Sequence, residues 1–163
     1  MHQNTKIGFG YDSHRFAEGR KLFLGGVEIP FEKGLSGHSD ADVLLHAIAD
    51  ALLGALGRDD IGVHFPDTDP SYKDISSKIL ILRVKSLLDA EKYTVGNIDA
   101  TVVLERPRLR DYIHFMKTAI SMLLGIETGQ VNIKATTNEG MGFTGRGEGI
   151  AAYSVVTIID TSS

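Results

Sequence analysis

Cysteine is absent from the 163-residue chain. That excludes disulfides, thiolate nucleophiles and every Cys-based zinc site, so any metal has to sit on histidine and carboxylate ligands. Positive charge is not in excess: 17 Lys and Arg stand against 21 Asp and Glu, a net charge of −4. A general binder of nucleic acid or of anionic membranes needs the opposite balance. No apolar run approaches the ~18 residues of a membrane span. The opening Met1-His2-Gln3-Asn4-Thr5-Lys6 has no signal-peptide core. A cytosol-like compartment is the default expectation. Internal repeats, low-complexity runs and linkers are lacking as well, so residues 1–163 are expected to form one domain.

What is present patterns as strands and helices. Ile7, Phe9 and Tyr11 alternate with small residues and predict a strand over 6–12. Gly25-Gly26 centres a hairpin between Leu22-Phe23-Leu24 and Val27-Glu28-Ile29. A first helix is expected from Asp40–Asp42 to about Ala55. Ser39 and Asp42 match a capping box, and Leu45, Ile48, Leu52 and Leu56 form an apolar face. Gly57 to Lys73 reads as a turn-rich loop with two of the four prolines. Further helices are expected over 75–92 and from Pro107 to Gly125. The last of these has Tyr112, Phe115, Met116, Ala119, Ile120 and Leu123 on one face. Strands are expected over 98–105 (preceded by Gly96), 131–136 and 150–159. This order predicts an α/β chain of the α+β layered type, a mixed sheet with three main helices on one face. The final strand is apolar on both sides, Ile150, Ala152, Val156 and Ile158 against Ala151, Tyr153, Val155 and Ile159. Strands buried on both faces read this way. The second face therefore calls for a cover such as another subunit.

Five segments carry chemistry. Asp12-x-His14 places two metal-ligand types on one side of a strand. Asp42, His46 and Asp50 stack at four-residue spacing on a helix. Asp12, His14 and His46 together form a two-histidine, one-carboxylate set that suits an open zinc site or a non-haem iron triad. Asp50, one turn beyond His46, is expected to orient that ring. The Asp59–Pro70 loop, rich in carboxylates, is a turn scaffold or a platform for hydroxyls. Gly140, Gly142 and Gly145 spell G-x-G-x-x-G, but a strand follows and the chain ends, so a dinucleotide fold is not implied. Glu105-Arg106-Pro107-Arg108-Leu109-Arg110 stands at the expected mouth of the third long helix, where backbone N–H groups and arginines suit a phosphate.

Taken together, these segments resemble the 2-C-methyl-D-erythritol 2,4-cyclodiphosphate synthase family of the non-mevalonate isoprenoid pathway. The carriers are Gly10-Tyr-Asp-Ser-His14, Gly37-His-Ser-Asp-Ala-Asp-Val-Leu-Leu-His-Ala47, Asp60-Ile-Gly62, Phe65-Pro-Asp-Thr-Asp69, Lys134-Ala-Thr-Thr-Asn-Glu139 and Gly142-Phe-Thr-Gly-Arg-Gly-Glu-Gly149. The resemblance implies a lyase that cyclises 4-diphosphocytidyl-2-C-methyl-D-erythritol 2-phosphate and releases CMP. It implies a divalent ion, zinc, on Asp12, His14 and His46, and a second, magnesium or manganese, on Glu139. His38 and Thr137 are the implied transition-state stabilisers. Ser39, Asp60, Ile61, Gly62, Phe65, Pro66, Asp67, Thr68 and Asp69 are implied for the methylerythritol moiety. Leu104, Pro107, Arg108, Leu109, Arg110, Thr136 and Asn138 are implied for the cytidine and phosphates. Leu104 and Arg108 depart from the family's usual small residue and lysine. The family also implies a homotrimer with active sites between subunits. Phe143, Arg146 and Glu148 would then line a cavity on its three-fold axis, a place for a prenyl diphosphate. Ligand type alone leaves an iron oxygenase open, and a trimeric metal-stabilised sensor is the non-enzymatic alternative.

Overall fold

The computed structural model describes residues 4–162; residues 1–3 of the opening segment lie outside it. Strand β1 spans Thr5–Ala17, β2 Leu22–Leu24, β3 Val27–Ile29 and β4 Gly34–Leu35. Helix α1 covers Val43–Leu56, α2 Ile61–His64 and α3 Ser77–Ala90. Then follow β5 (Tyr93–Val103), α4 (Ile113–Leu124), β6 (Val131–Thr136), α5 (Gly142–Gly145) and β7 (Gly149–Asp160). Five strands form one mixed sheet in the order β4-β1-β7-β5-β6, while β2 and β3 make a separate hairpin. Among the described residues, β5 and β6 are the one neighbouring pair that runs parallel, and α4 supplies the crossover between them.

The long helices lie on one face of this sheet, with α1 across β1 and β7. The alternation in β1 is inverted relative to the usual pattern. Gly8 and Gly10 face α1, and Ile7, Phe9 and Tyr11 face outward, 70%, 61% and 43% exposed. They continue across the ladder, Phe9 opposite Val155 and Tyr11 opposite Tyr153, as an open apolar surface.

Helix α1 is not amphipathic in the way the Leu45/Ile48/Leu52/Leu56 spacing predicts. Val43, Leu44, Ala47, Ala51 and Leu53 are buried as well, because the sheet, α3 and the β2–β3 hairpin enclose it. Its N-cap is Asp42 and not Ser39. Asp42 Oδ1 accepts from the Leu45 N–H at 3.0 Å and the Gly25 N–H at 2.9 Å, and Oδ2 accepts from Gly26 N–H at 2.7 Å. One buried carboxylate thus caps the helix and holds the hairpin turn.

Further expectations are corrected. The third long helix, α4, starts at Ile113, not at Pro107, which follows a cis peptide bond. Residues 105–110 form an irregular segment anchored by Leu109, 2% exposed, that turns into α4, so Arg108 and Arg110 stand ahead of the helix and not in its first turn. On α4 the buried residues are Met116, Ile120, Ser121 and Leu124, whereas Phe115 is 59% exposed. Strand β5 begins at Tyr93, and Gly96 sits in its bulge. Gln130 Nε2 donates to the freed carbonyls of Val95 and Gly96 there, at 3.2 and 2.8 Å.

Candidate active site

Asp12 and His14 lie on the helix-facing side of β1, and His46 lies in the first turn of α1. Their ligand atoms converge. Asp12 Oδ2 is 2.8 Å from His14 Nε2 and 3.1 Å from His46 Nδ1, and the two ring nitrogens are 3.2 Å apart. Burial pushes the Asp12 carboxyl up, but hydrogen bonds and charge from His14 and His46 outweigh it and bring its pKa down to about 2. Burial acts on His14 in the opposite sense. There the Asp12 hydrogen bond and charge, with the Ser36 carbonyl, prevail and raise its pKa. One carboxylate and two imidazoles this close form a donor set able to hold a divalent metal ion.

The outer nitrogens of both rings are committed. His14 Nδ1 donates to the Ser36 carbonyl at 2.8 Å. His46 Nε2 meets Ser77 Oγ at 2.8 Å and Ser39 Oγ at 3.2 Å. Asp50 does not orient His46. Its carboxylate accepts from the Ile61 N–H at 3.3 Å and so supports α2. The four-residue spacing put Asp50 on the right helix face, but the partner comes from α3, which the local pattern does not see. Ser77 carried no motif, so sequence reasoning had no signal for it.

The triad opens into a cavity of about 400 Å³ lined by His38, Ser39, Ile61, Gly62, Phe65, Pro66 and Asp67, among others. His38 Nε2 donates to the Asp69 carbonyl at 3.1 Å, and His38 C=O accepts from Asp74 N–H at 2.7 Å. Ser39 Oγ also accepts from the Ala41 N–H at 3.1 Å. Asp60 caps α2 through the Val63 N–H at 3.0 Å, and Asp69 caps the following turn through Ser71 N–H at 2.9 Å. The Asp59–Pro70 loop is thus a run of capped turns that forms one wall of the cavity, with Asp67 and Thr68 exposed.

A second cavity, about 530 Å³, is lined by Leu104, Glu105, Pro107, Arg108, Leu109, Arg110, Thr136 and Thr137 with their neighbours. The Leu104 and Leu109 side chains are themselves 3% and 2% exposed. Glu105 organises the adjoining loop: its Oε1 accepts from Asn138 N–H at 3.1 Å and Gly140 N–H at 3.2 Å. Between them Glu139 takes a left-handed φ of 52° and is exposed. Ser13 pairs with Ala151, Ala151 with Val103, and Val103 with Thr136. Both cavities therefore lie at the same end of the sheet, three strands apart, or about 14 Å at the usual interstrand spacing. The chain does not bring Glu139 to the triad. Phe143 and Glu148 border a third, smaller depression with His14. Arg146 Nε and Nη2 donate to Glu148 at 3.0 and 3.3 Å.

The profile of the YgbB family matches residues 5–159. The chain belongs to this family. It is 61% identical over 155 residues to the 2-C-methyl-D-erythritol 2,4-cyclodiphosphate synthase of Caldicellulosiruptor bescii, covering 95% of this chain and 99% of that one. It is 56% identical to the synthase of Trichlorobacter lovleyi, over 94% of this chain and 98% of that one. Among solved structures of the family, the Plasmodium falciparum IspF in complex with CDP superposes with a TM-score of 0.86 at 31% identity. That match covers 99% of this chain and 100% of that one. The bifunctional IspDF of Campylobacter jejuni superposes at 0.94 with 39% identity, over 98% of this chain and 43% of the bifunctional one. The fold is thus the α+β fold of this family. No helix among the described residues is long and apolar enough to cross a membrane.

Proposed function

We propose that the protein converts 4-diphosphocytidyl-2-C-methyl-D-erythritol 2-phosphate into 2-C-methyl-D-erythritol 2,4-cyclodiphosphate and CMP. The observation that carries this is the convergence of Asp12, His14 and His46 at the floor of a cavity walled by the 60–69 loop, in a chain of this family. In the step, a 2-phosphate oxygen attacks the β-phosphorus. The bond from that phosphorus to the oxygen shared with the CMP phosphate breaks, and CMP leaves with the electron pair. Because the nucleophile belongs to the substrate, no serine, cysteine or activated water is needed. The work left to the protein is to bring two anions together in line.

Zinc is the ion proposed for Asp12, His14 and His46, and magnesium or manganese the ion proposed for Glu139. Bound there, divalent ions neutralise phosphate charge and polarise the attacked phosphorus. His38, held by the Asp69 carbonyl, and Thr137 are assigned to the phosphates in the transition state. Ser39, Asp60, Ile61, Gly62 and residues 65–69 hold the methylerythritol end. Residues 104 and 107–110, with Thr136 and Asn138, take the cytidine and its phosphates. The separation of the two cavities within one chain supports sites shared between neighbouring subunits of a homotrimer. So does the open apolar surface around Phe9, Tyr11, Tyr153 and Val155. For the axial site of Phe143, Arg146 and Glu148 we keep a prenyl diphosphate as ligand. It would have to compete with Glu148 for the Arg146 guanidinium.

Phosphorus NMR of the reaction decides the function. A cyclic diphosphate formed together with CMP is the expected result. CMP accompanied by a linear phosphorylated product would identify a hydrolase instead.

A further inference from the structure

We propose that Ser77 and Asp40 are positioning residues for the metal centre, acting through His46 by dictating which of its nitrogens carries the proton. The proposal rests on the metal reading above.

An imidazole serves as a neutral metal ligand through the nitrogen that lacks a proton. To ligate a metal through Nδ1, which it turns toward Asp12 and His14, His46 has to keep its proton on Nε2. A hydroxyl beside Nε2 does not ensure this by itself, because it can donate as readily as it accepts. The third group in the row removes the choice. Ser77 Oγ donates its hydrogen to Asp40 Oδ1, and an ionised carboxylate only accepts. Only lone pairs of Ser77 are left for Nε2, 2.8 Å away, and Nε2 must supply the hydrogen. Ser39 Oγ is farther, at 3.2 Å, and has no carboxylate behind it.

Asp40 is held so that this direction persists. Its Oδ2 accepts from the Ser77 N–H at 3.0 Å, its Oδ1 also accepts from the Asp42 N–H at 3.1 Å, and its own N–H donates to the Ile75 carbonyl at 3.1 Å. The carboxylate thereby joins the start of α3 to the start of α1, the helix that carries His46. Ser77 is fully buried, so water does not replace it. His14 needs no such relay, because its outer nitrogen faces the Ser36 carbonyl, which can only accept. Neither Ser77 nor Asp40 lines the cavity, so their influence on the reaction passes through His46. Partners of this kind behind metal-bound histidines alter metal affinity by roughly 10–100-fold.

The test is zinc affinity of the metal-free protein, titrated against a competing chelator, with the melting temperature of the same metal-free samples. Ser77→Ala is expected to weaken zinc binding by about tenfold or more. Asp40→Asn keeps an oxygen toward Ser77 but gives up the charge, or turns its NH₂ inward and reverses the hydroxyl. It is expected to weaken zinc binding by about three- to tenfold, and it carries the test if Ser77→Ala does not fold. A lowered melting temperature with wild-type zinc affinity would make the pair merely structural and overturn the proposal. The metal reading fails separately, through a wild-type protein that takes up no zinc or a His46→Ala variant that binds it equally well.

Discussion

Gly10 lies directly beneath the Ala47 carbonyl of α1, and a Cβ built on Gly10 would stand 1.9 Å from that oxygen. Gly8 meets Ala51 O in the same way, at 1.8 Å. The helix rests on bare backbone here. This close approach is what lets His46, next to Ala47, reach Asp12, two residues beyond Gly10, at 3.1 Å.

Gly10→Ala is therefore expected to force α1 away from β1. The loss should be about 3 kcal/mol or more, at or above the upper end for overpacked cores, and zinc affinity should fall with it. Gly19→Ala, with no atom within 4 Å of its Cβ and only a left-handed φ of 70° to oppose it, should cost far less, about 1 kcal/mol. Chemical denaturation of the two variants checks the contrast.

The Asp12–His14 pair predicts a pH window for the metal-free protein. Asp12 has a folded pKa of about 2, below the ordinary 3.8, so its contribution is present above 3.8 and lost as pH falls toward 2. His14 is raised from 6.5, so its contribution is full below that pH and lost as pH rises through the elevated value. The stability difference between wild type and Asp12→Asn should thus be greatest between pH 4 and 6.5 and shrink on both sides. Melting curves in EDTA across pH 2–9 measure it. A difference independent of pH would show that the pair contributes no ionic coupling.

The open apolar face predicts association. Phe9→Asp puts a charge among Tyr11, Tyr153 and Val155, where burial against a second copy would be prohibitive. Light scattering should show a trimer for the wild type and a smaller species for the variant, with activity lost alongside. An active wild-type monomer would refute sites shared between subunits.

For the axial ligand, calorimetry with farnesyl diphosphate is expected to give one site per trimer. Arg146→Ala should abolish it and leave zinc at the triad untouched. Three sites per trimer would move the ligand to the active site and leave Arg146 as the partner of Glu148 alone.

The hairpin over 22–29, the helix over 77–90 and the strands over 131–136 and 149–160 were legible from short-range patterning, and so was the end of α4, where Gly125 takes a left-handed φ. The donor set of Asp12, His14 and His46 was legible from the combination of Asp12-x-His14 with the 37–47 segment, which carries the family resemblance, and not from residue type alone. Which face of β1 is inner could not be read from hydrophobicity. Gly8 and Gly10 face the helix because α1 packs there, and the large residues are left outside. The start of α4 likewise depends on the burial of Leu109, and the capping of α1 on a hairpin seventeen residues upstream of Asp42. Most of all, the partner of His46 was a matter for the tertiary structure. A hydrogen bond between residues 31 apart depends on where α3 is packed, and no local pattern encodes it.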